Sequence, residues 1–432
     1  MYPHLGGFES THIFGRGQDI LGTTRHIEFW REDLTLLLQS GITSLRYSIP
    51  WHRIEAWAGE FDWSWIDGPM RFMESAGMQP IVDPLHHTSF PTWLQDGFLH
   101  PEFPELYERF LSQVSDRYEW VTKYTIINEP LPTTLFCSYT GMWYPHRSSD
   151  QDFVSMIIQV AKAICMAGSM LKRKNNQIEV VDVGTAEHHR ATDSETGAWV
   201  EHANARRFLI LDLVLGRLDR DHPLYSYLVQ QGAAEDDLQW FLDHPTEIDT
   251  LGLDYYIHSE MEWFWNKHTK RPDVHPVNHS QRGFASIAED YGDRFRLPLL
   301  LTETNIRGTV HERLSWLKFM EQQCERLALS GHEFRGFCWY PSIDSTDWAN
   351  ACTRCTKIVD PQGIWTLDSS RTTRHSSELS RVYGALARGE ITSRDIPAHE
   401  FGNELKRRLR GYLPMMPDWN RGIGTALSDG LA

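Results

Sequence analysis

Short apolar, β-branched runs alternate with amphipathic stretches along almost the whole chain, and this rhythm constrains the fold more than any other feature. Strand-like runs occupy residues 5–10, 42–49, 79–85, 121–128, 178–184, 248–256, 297–303 and 334–340. Helical periodicity fills much of the space between them, at 28–39, 65–76, 104–118, 153–172, 206–213 and 311–329. Runs this apolar need cover on both faces, which a parallel sheet wrapped by helices supplies. Gly41, Gly77 and Gly331 stand where helices should stop. Eight such units predict an α/β fold, a single (β/α)8 TIM barrel over residues 1–390, with a short C-terminal extension over 391–432. Within that extension, 401–409 is expected to form a short amphipathic helix, with a packing or oligomer contact as its role. A doubly wound sheet would place a glycine-rich phosphate loop after the first strand, and the sequence has none there.

Bulk properties narrow the partners. A net charge of −16 disfavours nucleic acid and anionic membrane. No apolar run approaches the roughly 18 residues of a membrane span, and the N-terminus lacks a secretory signal pattern, so a cytoplasmic location is expected. The 6 cysteines are too scattered for a disulfide framework. Cys352 and Cys355 form a C-x-x-C without a second pair or spaced histidines, so reduced loop thiols are expected rather than a metal site. No cofactor is expected. Aromatic residues make up 12% of the chain, with 17 tryptophans, enough both to fill a core and to stack on sugar rings.

In a barrel, the C-terminal ends of the strands converge on one face. The chain puts unusual polar residues there: Arg46 on the second strand, His86 and His87 after the third, Asn128 and Glu129 after the fourth. Asp254, Tyr255 and Tyr256 end the sixth, Glu303 the seventh, and Trp339, Tyr340, Asp347 and Trp348 follow the eighth. A single strand-end glutamate is usually a salt-bridge partner. Two of them facing one mouth are the equipment for glycosidic bond cleavage.

These residues resemble a known family. Ile127-Asn128-Glu129-Pro130 matches the N-E-P motif of glycoside hydrolase family 1, the retaining β-glycosidases, and Leu301-Thr302-Glu303-Thr304-Asn305 is similar to its T-E-N element. Arg46-Tyr47-Ser48-Ile49-Pro50-Trp51-His52-Arg53-Ile54 resembles the R-F-S-x-x-W-x-R-I segment. His86-His87 with the following Pro91-Thr92-Trp93-Leu94 resembles the sugar-binding histidine loop, and Leu251-Gly252-Leu253-Asp254-Tyr255-Tyr256 the L-G-x-N-Y-Y strand. The resemblance implies Glu129 as acid/base and Glu303 as nucleophile. It implies Asn128 and His87 as sugar-hydroxyl ligands, and Arg46 and Tyr256 as supports for the charge of Glu303. The sugar-stacking platform falls to Tyr340 or Trp339, and the distal sugar-gripping glutamate aligns with Asp347, followed by Trp348.

The departures bear on substrate. The motif asparagine is Asp254, the tryptophan after the histidine is Thr88, and the glutamine-bearing N-terminal segment is Phe8-Glu9-Ser10-Thr11-His12, which leaves sugar contacts to Glu9 or His12. The leading expectation is a retaining exo-β-glycosidase, β-glucosidase-like, acting on a small carbohydrate or glycoside. Arg46 and the Tyr256 hydroxyl would favour the ionised form of Glu303, while drier surroundings would keep Glu129 protonated. Transglycosylation, favoured by Trp57, Trp63, Trp65, Trp143, Trp263 and Trp265 in the loops, is an alternative. So are a 6-phospho-β-glycosidase, which Asp347 opposes and Arg354 allows, and a non-catalytic carbohydrate-binding barrel. Sugar, linkage and oligomeric state are left open.

Overall fold

The computed structural model describes residues 2–277 and 281–397. Eight parallel strands close into a barrel in sequential order. They are β1 (His4–Gly7), β2 (Ser44–Ser48), β3 (Gln79–Asp83), β4 (Lys123–Tyr124), β5 (Glu179–Thr185), β6 (Thr250–Asp254), β7 (Leu299–Glu303) and β8 (Phe334–Cys338). Closure runs through β1, which pairs with β8 on one side and β2 on the other. Every strand overlaps an expected run and most are shortened, while β1 starts one residue early at His4 and β5 ends one residue late at Thr185. The fourth is shortened most, because the chain beyond Tyr124 leaves the regular ladder. Its backbone still bonds the wall at intervals, from Thr125 N to Val82 O and from Asn128 N to Leu85 O.

Alternation along the strands sorts the side chains into two cores. Leu5, Ile81, Val181, Leu300, Cys338 and Tyr340 plug the barrel interior. Their neighbours along the chain, such as Val82, Val180 and Leu301, belong to the outer core against the helices. Helix His26–Gln39 ends where Gly41, at φ 82°, lets Ile42 N reach back to Leu37 O. Gly77 ends Asp67–Ser75 in the same way, with Met78 N bonded to Met73 O. This is the reverse turn that glycine permits at a helix C-terminus. Helix Val310–Leu329 begins with a capping box between Thr309 and Glu312.

Three details differ from the sequence expectation. The stretch 206–213 straddles a break between Gly197–Arg206 and Leu209–Val214. Helix Phe284–Phe295, before β7, was not among the expected helices. The long helix Asp150–Lys174 is apolar enough by length and composition to cross a membrane, yet 72% of its most apolar stretch is buried, as befits a core helix. A three-stranded sheet of His188–Ala191, Glu260–Asn266 and Arg271–Pro276 stands outside the barrel beyond β5 and β6. At the C-terminus, Lys318 Nζ donates to Ile396 O at 2.7 Å and ties the turn Ser393–Asp395 to the Val310–Leu329 helix. The expected helix over 401–409 lies outside the described residues.

Candidate active site

The strand ends build a cleft of about 1210 Å3, counting its open mouth, lined among others by Glu9, His87, Glu129, Tyr256, Glu303 and Trp348. Arg46 organises its floor. It sits between Leu45 and Tyr47, which pack outward, so alternation turns the guanidinium into the barrel. One nitrogen donates to Glu303 Oε1; the other donates to Asn128 Oδ1 at 2.6 Å and lies 3.3 Å from Asp83 Oδ2. The guanidinium also lies 5.0 Å from the centre of the Tyr340 ring. One buried fork thus fixes a carboxylate and an amide from two other strands.

Glu303 reaches the mouth because the pairing of β7 with β6 shifts register between Leu301 and Glu303, where Glu303 comes opposite Asp254. The irregularity lets consecutive side chains both serve the site. Thr302 Oγ1 donates to Asp254 Oδ1 at 2.6 Å, and Tyr256 donates its hydroxyl to Glu303 Oε2 at 2.6 Å. Glu129 is aimed by its backbone, which adopts φ 41° and ψ 57° at the start of the turn Pro130–Thr134. That left-handed conformation disfavours a side chain and persists only where surroundings enforce it. Here Glu129 N donates to Val183 O and Glu129 O accepts from Thr133 N, both at 3.0 Å. His87 is likewise left-handed, at φ 52°. Its Nδ1 pairs with Thr133 Oγ1 at 2.9 Å, and its Nε2 lies 3.9 Å from Glu129 Oε2.

One oxygen from each of Glu129, Asp254 and Glu303 lies within 4.8 Å of the others. Burial pushes Glu129 up to about 8, and the charge of Glu303 adds to the rise. Burial also raises Glu303, against the pull of Arg46, so the supports that favour its ionised form do not bring it below the ordinary carboxylate range. Arg46 and the Tyr256 hydroxyl bond Glu303 directly and so favour its ionisation first, and its charge then adds to the burial that keeps Glu129 protonated. Tyr256 is raised well above the usual phenol by burial and by Glu303, so it remains a donor. Burial opposes charge on His86, but Asp83 at 2.6 Å and Glu9 at 3.3 Å more than offset it and hold the imidazolium at about 10. His87, lowered by burial and by its charged neighbour His86, is neutral.

Not every expected residue reaches the cleft. Trp339 is fully buried in the outer core, its indole donating to Gln362 O at 2.9 Å and its ring against Tyr383. Tyr340 lies inside the barrel beneath Arg46, its hydroxyl donating to Phe8 O at 3.0 Å, and does not line the cleft. Asp347 spends its carboxylate on its own loop, accepting from Thr356 N, Thr356 Oγ1 and Lys357 N. Trp348 does line the cleft, near His87 and Trp143. None of Trp57, Trp63, Trp65, Trp143, Trp263 and Trp265 is in its lining; Trp143 stands behind His87, with ring centres 5.0 Å apart. Arg354 is exposed and also outside it. Glu9 lines the cleft, but it accepts from Thr11 and pairs with His86, and His12 does not line it. Cys352 and Cys355 are free thiols, one buried and one exposed.

The sequence reading passed over Asp83, the counter-ion shared by Arg46 and His86, although a lone aspartate at the end of an apolar run was the available signal. The cleft walls Phe136, Met142, Ile257 and Met261 come from a short helical turn, two loops and the central strand of the three-stranded sheet, all outside the barrel's rhythm.

Comparison with known proteins agrees with this geometry. The family model of Glycosyl hydrolase family 1 matches residues 15–282, a stretch that includes Glu129, Asp254 and Tyr256. Beta-glucosidase 1B of Phanerodontia chrysosporium is 31% identical over 134 residues, which is 28% of this chain and 24% of that protein. The chain therefore matches about a quarter of that curated relative's length. In fold, the protein is similar to a beta-glucosidase from Thermotoga maritima in complex with noeuromycin, at TM-score 0.75 and 16% identity, covering 84% of this chain and 87% of the other. A structure described as a family 1 b-glucosidase from the same organism gives TM-score 0.72 at 15% identity with the same coverage. With the family match extending over more than half of its residues, this chain belongs to glycosyl hydrolase family 1.

Proposed function

We propose that the protein is a retaining exo-β-glycosidase, β-glucosidase-like, that cleaves small β-glycosides by double displacement. The observation that carries this reading is the pair of buried carboxyls, Glu129 and Glu303, with oxygens within 4.8 Å. A separation of about 5–5.5 Å suits direct attack by one carboxylate, whereas about 6.5–9.5 Å would leave room for a water between them. Glu129 gives its proton to the glycosidic oxygen as Glu303 attacks the anomeric carbon, its two oxygens held by Arg46 and Tyr256. Once Glu303 is esterified its charge is gone, so Glu129 ionises more readily and takes a proton from the attacking water. Neutral His87 presents a polar group to the sugar, whereas the expected ligand Asn128 is fully buried outside the cleft lining, its amide between Arg46 and His86.

Glu303→Ala tests this directly. The variant loses turnover on a nitrophenyl β-glucoside, and added azide restores it with the α-glycosyl azide as product. Full activity in the variant refutes the nucleophile; a β-azide from it refutes the double displacement. Product lengths from β-linked oligosaccharides test exo action. A second reading, transfer to an alcohol or sugar acceptor, is favoured by the apolar walls Phe136, Met142, Ile257 and Met261, and an acceptor product in competition with water tests it. A reducing, cytoplasmic setting suits the six unpaired thiols.

A further inference from the structure

We propose that Asp254 is a third acid of the site, a permanently protonated carboxyl that positions Glu129 and stabilises the carboxylate Glu129 becomes on giving up its proton. The proposal rests on the glycosidase reading above, and deepens it. Asp254 is fully buried at the end of β6. Its Oδ1 accepts from Thr302, while its Oδ2 is buried with no hydrogen-bond partner among the described residues. One oxygen of Asp254 lies within 4.8 Å of both Glu129 and Glu303. An ionised Asp254 would leave three anions around one point, with Arg46 already committed to Glu303, Asn128 and Asp83. A neutral carboxyl makes the orphan Oδ2 a donor beside the carboxyls of Glu129 and Glu303 rather than a third anion.

The groups around it favour the neutral form. Glu129 faces it from the end of β4, Glu303 and the Thr302 hydroxyl from β7, Tyr256 from the chain after β6, Arg46 from β2 and Cys338 from β8. Burial first, then the charges of Glu303 and Glu129, hold Asp254 well above the ordinary carboxylate range, and Arg46 only partly opposes them. No proton leaves Asp254 in the cycle. Glu129 transfers its own proton to the leaving oxygen and, as a carboxylate, accepts the Asp254 O–H; water then returns a proton to Glu129. A protonated carboxyl serving as a hydrogen-bond donor in an apolar site is a known device. The amide in the related motif can donate at the same place, but an aspartate does so only while it keeps its proton.

Infrared difference spectroscopy and kinetics test the proposal separately. At neutral pH, subtracting the spectrum of Asp254→Asn from that of the parent protein leaves the carbonyl band of a neutral carboxyl, and no substrate is needed to see it. In kinetics, Asp254→Leu lowers kcat/KM about 100-fold on alkyl β-glycosides and less than about tenfold on dinitrophenyl β-glycosides, whose leaving groups need no proton. Asp254→Asn recovers most of the loss, because the amide donates. The absence of the neutral-carboxyl band overturns the proposal, and so does an equal loss on both substrate types. A band present in a protein that hydrolyses no glycoside instead places the failure in the glycosidase reading.

Discussion

Replacing Arg46 by methionine tests the central electrostatic argument. The side chain is 1% exposed and serves two buried carboxylates, Glu303 and Asp83, besides the Asn128 amide. Methionine fills much of the volume but leaves Glu303 without its cation and Asp83 with His86 alone. Breaking a buried pair from one side costs about 3–5 kcal/mol, so the denaturant midpoint falls accordingly. The effect on catalysis follows from the sign of the shift. A cation within reach lowers a carboxyl by about 1–3 pKa units, so its loss raises Glu303 by a similar amount. Glu303 must be ionised to attack, and the acid limb of kcat/KM therefore moves to higher pH, towards the value of about 8 held by Glu129. The window with Glu303 ionised and Glu129 protonated narrows, and at pH below the parent's acid limb kcat/KM falls about tenfold for each unit of the shift. Arg46→Lys restores the charge but not the fork, and recovers the acid limb more fully than the KM. Measuring kcat/KM across pH for the three proteins decides the matter. An acid limb that stays in place in Arg46→Met refutes the reasoning.

In the parent protein kcat/KM should fall above about pH 8, where Glu129 loses the proton it must deliver. Glu129→Gln should abolish that limb and slow alkyl glycosides about 100- to 10,000-fold while sparing dinitrophenyl glycosides, as a pH–rate series on both shows. Asp347→Ala should leave KM unchanged but expose the loop 347–357 to limited proteolysis, since each hydrogen bond to a carboxylate lost there is worth about 1.5–3 kcal/mol. Trp339→Phe should cost about 1–3 kcal/mol in chemical denaturation by leaving Gln362 O unpaired, with KM unaffected. Trp348→Ala should raise KM for aryl glycosides, because its ring lines the cleft.

The barrel was legible because every strand is an apolar run between helices, and the residues on the strands themselves were the easiest to place. Arg46 and Glu303 are fixed once strand direction is known: each sits at the C-terminal end of a ladder whose neighbours are set by register. Legibility fails where the chain leaves the ladder. Trp339 and Tyr340 are adjacent, so at a strand end they point to opposite sides, and sequence alone does not say which faces the ligand. The structure sends Trp339 into the outer core and Tyr340 under Arg46, so neither forms the floor of the cleft. Asp347 sits at φ 63° in a turn that folds back on its own carboxylate, and such a conformation leaves no periodic trace. The bulge that brings Glu303 opposite Asp254 is equally silent, though it decides that the two acids meet.

The charges on the floor of the cleft explain why a third acid is tolerable there. Arg46 and the imidazolium of His86 face three anions, with Asp83 paired to both cations, Glu9 to His86 and Glu303 to Arg46. These five groups carry a net single negative charge, provided Glu129 and Asp254 both keep their protons. A single negative charge suits a reaction whose transition state places positive charge on the sugar ring. Ionising either neutral acid would double that charge before substrate arrives and deprive the leaving group of its proton or of its donor. Burial therefore does more than raise individual carboxyls: by making a second anion costly, it forces the site to hold one charge on Glu303 and two protons beside it. An amide in place of Asp254 meets the same condition without a proton to keep, whereas the aspartate meets it only because burial and its two acidic neighbours hold its proton in place.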